Sequence, residues 1–247
     1  MPASTRMNEN GSVPQLLSIE GINGVGKTYL TELVVDQLTR DGEDPPVVLE
    51  EFSRRSTDTD LGRCLLGTLV QASGGERFLR AGYPGSETLL LLAVKTHDYE
   101  SVLDLLAAGR TVIEGRSLHT TAVYQSLITH PDDDNAYSFA TTLLHHAALY
   151  RPLPDRTVLL TDDVEAAVHR AEVRNAETFT AEQWVLHRRA AALFERLAAD
   201  DPDRFLILDR REHDTTALTA ALLELLAPAG SESGVVRTRS ASLGGQQ

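Results

Sequence analysis

Apolar residues along this chain fall into two patterns: short continuous runs, and longer stretches in which they recur every three or four positions. The runs Leu16–Glu20, Val47–Glu51, Thr111–Glu114, Thr157–Leu160 and Phe205–Asp209 predict buried strands, since a strand covered on both faces shows no polar alternation. The periodic stretches predict helices over Lys27–Arg40, Leu61–Gln71, Glu87–Ala108, Tyr137–Leu149, Val164–Arg174, Ala181–Ala199 and Thr215–Leu226. Strands alternating with helices predict an α/β fold, a central parallel sheet of about five strands with helices on both faces. No internal repeat is visible, so residues 15–227 read as one domain. The polar segment 1–14 reads as a disordered leader and the Ser/Gly-rich segment 228–247 as a disordered tail. The run Pro131-Asp132-Asp133-Asp134 reads as a solvated loop. Sheets of this kind receive ligands outside the carboxyl ends of their strands, so that is where chemistry is expected.

The first strand runs straight into Gly21-Ile22-Asn23-Gly24-Val25-Gly26-Lys27-Thr28, which spells the phosphate-binding loop G-x-x-x-x-G-K-[ST] in full. Its glycines let consecutive backbone N–H groups converge on phosphate oxygens, Lys27 adds a mobile positive charge, and the Thr28 hydroxyl can ligate Mg²⁺. A helix follows at once, with apolar residues at Leu30, Leu33, Val34 and Leu38, so its N-terminus points at the anion. Gly21, Asn23, Gly24, Val25, Gly26, Lys27 and Thr28 are therefore expected to hold a nucleoside triphosphate.

Composition narrows the partners. A net charge of −13 over 247 residues would repel nucleic acid or an anionic membrane surface, so any anion site must be built locally from arginines and amides. No apolar run reaches membrane-spanning length, and no signal-peptide pattern opens the chain. Cys64 is the only cysteine, which fits a reducing cytoplasm and a half-buried helix position.

Arginines stand after several predicted strands: Arg54 and Arg55 after the second, Arg116 after the third, and Arg170 and Arg174, one helical turn apart, after the fourth. Converging at the sheet's ligand end, they suit bidentate phosphate contacts; alone, Arg170 and Arg174 read equally well as surface residues paired to Glu172 or Glu177. A phosphate acceptor needs no general base, whereas a hydroxyl acceptor does, and Glu50, Glu51 or Glu114 at strand ends are the places for one. Glu114 is also a candidate metal-side carboxylate, against the plainer reading of a strand-end Glu bonded to backbone or to an arginine.

These motifs resemble the thymidylate kinase family, from about Leu16 to Leu226. Ile19-Glu20-Gly21 with the phosphate loop resembles the family's opening. Phe52-Ser53-Arg54-Arg55-Ser56-Thr57 followed by Leu61-Gly62 resembles its F-P-x-R-S-T segment, whose acceptor-phosphate arginine falls on Arg55. Glu87-Thr88-Leu89-Leu90-Leu91-Leu92-Ala93-Val94-Lys95 resembles the base-pocket helix E-L-L-L-F-x-A-x-R. Gly115-Arg116-Ser117 stands where the family has Asp-Arg-Tyr, and Thr120-Thr121-Ala122-Val123-Tyr124-Gln125 resembles its S-[ST]-x-A-Y-Q. Arg170 through Arg174 correspond to an arginine-bearing lid.

The resemblance implies a three-layer P-loop kinase fold and phosphoryl transfer from ATP with Mg²⁺ to a nucleoside monophosphate. Lys27, Arg116, Arg170 and Arg174 would be catalytic; Arg55, Leu91, Lys95, Arg116, Thr121 and Tyr124 would bind the acceptor; Thr28 and Glu114 would face the metal. Nucleotide substrates are implied, nucleic acid and membrane are not, and the oligomeric state is left open, with a homodimer one option. Four departures stand out: Asn23 replaces a carboxylate in the loop, Leu91 the stacking phenylalanine, Lys95 the base-reading arginine and Gly115 an aspartate. Three of them fall in the acceptor pocket, which points to an altered acceptor. A deoxynucleoside kinase, whose E-R-S triplet Gly115-Arg116-Ser117 nearly matches, and a nucleotide-binding protein without turnover are the competing readings.

Overall fold

The computed structural model describes residues 15–49, 60–76 and 78–227. Readings placed on 1–14, on Glu50 to Thr57 (Arg55 among them) and on 228–247 lie outside the described residues. Five strands, β1 (Leu16–Glu20), β2 (Val47–Leu49), β3 (Val112–Gly115), β4 (Arg156–Thr161) and β5 (Phe205–Asp209), form one parallel sheet in the order β2-β3-β1-β4-β5. β1 is central and wholly buried, with Ile19 level with Gly115 on one side and Val158 on the other. From β1 the chain moves first toward β3 and β2, then toward β4 and β5. The end of β1 is thus the switch point where such sheets open a crevice, and the phosphate loop sits there.

Nine helices are described: α1 (Lys27–Asp41), α2 (Leu61–Ala72), α3 (Pro84–Glu100), α4 (Leu103–Ala107), α5 (Leu118–Thr129), α6 (Asp133–Ala147), α7 (Val164–Asn175), α8 (Ala181–Asp200) and α9 (Thr215–Leu226). The main core joins β1, β3 and β4 to α1, α5, α6, α8 and α9 through residues such as Leu17, Val34, Ile113, Val123, Phe194 and Leu222. Among the described residues no helix is long and apolar enough to cross a membrane.

Three expectations are corrected. α5 is absent from the predicted helices because Leu118 through Leu127 are all buried, so the segment has no polar face to mark its period. The predicted helix 87–108 begins earlier, at Pro84, and breaks after Glu100. There the Val102 N–H bonds Tyr99 O at 3.1 Å, and Val102 tucks into a small core with Leu16 and Val112. The aspartate run is a helix start and not a solvated loop. The Asp132 side chain accepts from the Asn135 N–H at 2.8 Å. Asp133 and Asp134 occupy the first turn, where the helix dipole favours them, and pair with Arg189 and Arg196 of α8 at 2.7 and 2.8 Å.

Candidate active site

The phosphate loop is shaped by backbone that only glycine tolerates. Gly24 has φ +84°, and a Cβ there would lie 1.7 Å from the Ala167 carbonyl oxygen of α7. Lys27, buried, donates from Nζ to Gly21 O at 2.9 Å and Ile22 O at 3.0 Å, lying back along the loop. Two arginines brace the loop by its carbonyls: Arg170 Nε donates to Gly24 O at 3.0 Å and Arg210 Nη1 to Val25 O at 2.9 Å. Asp162, just past β4, pairs with both guanidinium groups. With those carbonyls engaged, the N-terminus of α1 is left to meet an anion. Thr28, Glu32, Arg116 and Arg174 line the cavity of about 170 Å³ beside Lys27.

A second cavity, of about 350 Å³, has apolar walls from Leu66, Phe78 and Leu91 and polar ones from Thr121, Tyr124 and Gln125. It shares Asn23, Arg116 and Arg174 with the first, so the two lie side by side at these three residues. Phe78 stacks on Tyr124, ring centroids 5.5 Å apart and 25° from parallel. Its turn is fixed by the Glu76 carboxylate, which accepts from the N–H groups of Phe78 and Arg80 at 2.9 and 3.1 Å. Burial pushes the Tyr124 phenol up to about 12, the nearby Arg116 charge opposing this, so the tyrosine stays a neutral hydroxyl.

Arg116 stands at the junction with φ +72°, a left-handed conformation that costs a non-glycine residue about 1–2 kcal/mol. One of its Nη atoms donates to the Asn23 side-chain oxygen. The next residue is held from below by Glu20, the last residue of β1. Glu20 Oε1 accepts from both the N–H and the hydroxyl of Ser117 at 2.6 Å, and Oε2 accepts from the Thr120 hydroxyl. Burial raises the carboxyl's pKa against the opposing effect of these bonds.

The predicted site residues therefore separate into groups. Gly21, Asn23, Gly24, Val25, Gly26, Lys27 and Thr28 form the loop; Arg116 and Arg174 stand at the junction; Leu91, Thr121 and Tyr124 line the second cavity. Arg170 braces the loop from behind and lines neither cavity. Lys95 and Glu114 lie elsewhere, in a buried ion cluster. Glu114 takes two bonds from Arg151, at 3.0 and 2.9 Å, and Lys95 Nζ lies 3.5 Å from Glu114 and 3.6 Å from Asp98. Glu114, expected as a metal-side carboxylate, and Lys95, expected as a base-reading group, line neither of these two cavities. Charge is neutralised more cheaply here by mutual pairing than by solvent that cannot enter.

Sequence reasoning missed Arg210, Asp162, Phe78 and the Glu20 contacts. Arg210 follows the end of β5, so the rule that looks for arginines after strands applies to it as well. Phe78 lies in a turn between Gly75 and Gly82, where no periodicity signals which way a side chain faces.

The family model for thymidylate kinase matches residues 19–219. The thymidylate kinase of Chlamydia trachomatis serovar D is 29% identical over 212 residues, covering 85% of this chain and 97% of the relative. That of Geotalea uraniireducens is 30% identical over 223 residues, with the same coverages of 85% and 97%. Among solved structures, the thymidylate kinase of Candida albicans superposes with a TM-score of 0.59 at 17% identity, over 86% of this chain and 90% of that one. That of Ehrlichia chaffeensis gives 0.56 at 19%, over 86% and 97%; at such identities the likeness concerns the fold. A phosphate loop beside an arginine-flanked second cavity, a matching sheet and a family match over residues 19–219 agree: the chain belongs to the thymidylate kinase family.

Proposed function

We propose that this protein transfers the γ-phosphoryl group of ATP, with Mg²⁺, to a nucleoside monophosphate, and that its acceptors differ from or extend beyond dTMP. One observation carries the reading. The loop cavity and the second cavity meet at Asn23, Arg116 and Arg174, so a donor in one and an acceptor in the other bring their phosphates together beside two guanidinium groups. Phosphoryl transfer asks for in-line positioning and charge neutralisation more than for covalent help. Lys27 and the loop amides hold the donor, and Arg116 and Arg174 meet the charge that spreads over the migrating group.

The residues present fit a magnesium ion that takes most of its ligands from phosphates and water. The Thr28 hydroxyl and the Glu32 carboxylate, one turn apart on α1, line the loop cavity. Among the described residues no group of three or more His, Cys, Asp or Glu forms a protein-only metal cage. The ion would neutralise phosphate charge there. A phosphate acceptor is already anionic near neutral pH, so no base is needed.

The second cavity supports an altered acceptor. Leu91 offers contact without a π-face, Lys95 is drawn into the ion cluster, and Phe78 brings an aromatic ring from a different part of the chain. The Candida albicans thymidylate kinase, of the same fold, is described as having broad substrate specificity. The lone cysteine fits a cytoplasmic location, and a homodimer is the assembly to look for by sizing.

ADP production with a panel of nucleoside monophosphates and their parent nucleosides tests the proposal. Transfer to a monophosphate other than dTMP, at a kcat/KM no less than about a hundredth of that for dTMP, is expected, with none to nucleosides. A preference for dTMP over every other monophosphate by more than about a hundredfold, roughly 2.7 kcal/mol, would overturn the altered acceptor. Phosphorylation of a nucleoside but not its monophosphate would overturn the reaction class.

A further inference from the structure

We infer that Glu20 is the positioning residue that registers the acceptor side of the site, Arg116 and α5, against the phosphate loop. The inference rests on the reading above, in which Arg116 meets the acceptor phosphate.

Glu20 is the last residue of β1, and Gly21, the first residue of the phosphate loop, is its neighbour in the chain. Its side chain is fully buried and points into the start of a different element, α5. Three donors converge on it. The Ser117 N–H and hydroxyl reach Oε1 at 2.6 Å, and the Thr120 hydroxyl reaches Oε2. The Ser117 hydroxyl also accepts from the His119 N–H at 3.2 Å and so caps α5, which makes the cap itself depend on the carboxylate.

The consequence falls on Arg116. The Arg116–Ser117 peptide supplies one of the three donors, so Glu20 holds the peptide immediately after a left-handed arginine. A residue keeps such a conformation only where its surroundings over-determine it, and such strain gathers at functional sites. The strain aims the guanidinium at Asn23 in the loop and into both cavities. The same carboxylate seats the first turn of α5, the helix that carries Thr121, Tyr124 and Gln125 along the acceptor wall. One side chain at the root of the donor loop thereby fixes where the acceptor's phosphate arginine and its helix stand. A buried carboxylate is a costly way to make a structural contact, and neutral residues would cap a helix as well. Its cost is accounted for by a geometry that must be held to a fraction of an ångström.

Glu20→Gln provides the test, because glutamine keeps the volume but can accept at only one of the two oxygen positions. Three quantities are measured on the full chain, namely kcat and KM for the best acceptor, and the Kd of a non-hydrolysable ATP analogue by calorimetry. Acceptor kcat/KM is expected to fall at least about tenfold, the size of one lost hydrogen bond to a charged group, while the analogue's Kd stays within about twofold. Ser18→Ala serves as the structural control. It removes a buried bond to Thr157 (3.0 Å) one turn of pleat earlier on the same strand, and should lower thermal stability without changing the acceptor's KM.

The inference is overturned if Glu20→Gln retains acceptor kinetics within twofold. It is equally overturned if donor affinity and acceptor kinetics decline together as stability does, for then Glu20 merely holds the fold. Should Glu20→Gln not fold, Ser117→Ala removes the hydroxyl half of the contact from a residue that lines neither cavity. The same acceptor-only loss is expected there, and its absence overturns the inference. Failure of the functional reading looks different: the native protein would phosphorylate no monophosphate.

Discussion

The two halves of the site are built from different materials. On the proposed donor side the surface is backbone: glycines at positive φ, loop carbonyls held from behind by Arg170 and Arg210, and a helix N-terminus. On the proposed acceptor side it is side chains, with Leu66, Phe78, Leu91 and Tyr124 walling a larger, more apolar cavity. Backbone shape leaves no room for substitution, because the Ala167 carbonyl lies where a Cβ on Gly24 would go. Side-chain walls can be exchanged one at a time while the cavity persists. On the function proposed above, the reaction type is written in the rigid half and the choice of acceptor in the adjustable one, since discrimination depends on contacts to the part of the substrate that varies.

The largest expected effects strike the rigid half. Lys27→Ala should lower turnover on the order of 10²–10³-fold or more, the scale of removing one preorganised charge-stabilising donor, with circular dichroism unchanged. Gly24→Ala should go further and abolish ATP-analogue binding, because the methyl group collides with backbone, which cannot rotate away. A turnover assay checks the first and calorimetry with the analogue the second. If Gly24→Ala binds normally, the loop is more pliable than its packing implies and the contrast between the halves dissolves.

A second test separates what supports the acceptor cavity from what lines it. Glu114, Arg151, Lys95 and Asp98 form a buried ion cluster in which Arg151 and Glu114 are each about 1% exposed. Arg151→Met leaves Glu114 without its two-pronged partner and should cost about 3–5 kcal/mol, read as a lower midpoint in urea. Glu114→Gln should also destabilise, yet leave the Mg²⁺ concentration dependence of turnover unchanged. A shift in that dependence would return Glu114 to the metal side and break the assignment of the cluster to support.

The same contrast decides what was legible in the sequence. The strands, most helices and the phosphate loop were, because each follows from local rules: apolar runs, helical period and glycine spacing. The arginines after the strands were legible as a set, but their division of labour was not. Nothing local distinguishes Arg170, which grips Gly24 O, from Arg174, one turn later and facing the cavities. α5 escaped because a helix buried all round has no amphipathic signature. For Lys95, helical spacing accounts for Asp98, three residues on along α3, but the buried Glu114 that also faces its ammonium group is a tertiary neighbour.

The smallest expected effect is the most discriminating, because it asks how adjustable the acceptor wall is. Leu91 lines the second cavity, and Phe78 and Tyr124 already stack there with their rings 5.5 Å apart. Leu91→Phe adds a π-face to the wall, worth about 0.5–1.5 kcal/mol for a well-placed aromatic pair. That is roughly a two- to twelvefold gain in kcat/KM for dTMP relative to the best other monophosphate. Pairing it with Lys95→Arg should add nothing to that ratio, since residue 95 lines neither cavity, and should lower stability by crowding the cluster around Glu114. Competition assays with the single and double variants, beside melting curves, read both quantities. An equal shift for every monophosphate would mean that Leu91 sets cavity volume and not base choice. A further rise in dTMP preference in the double variant would mean that residue 95 reaches the base after all, and the acceptor wall would then be less altered than Phe78 and Leu91 suggest.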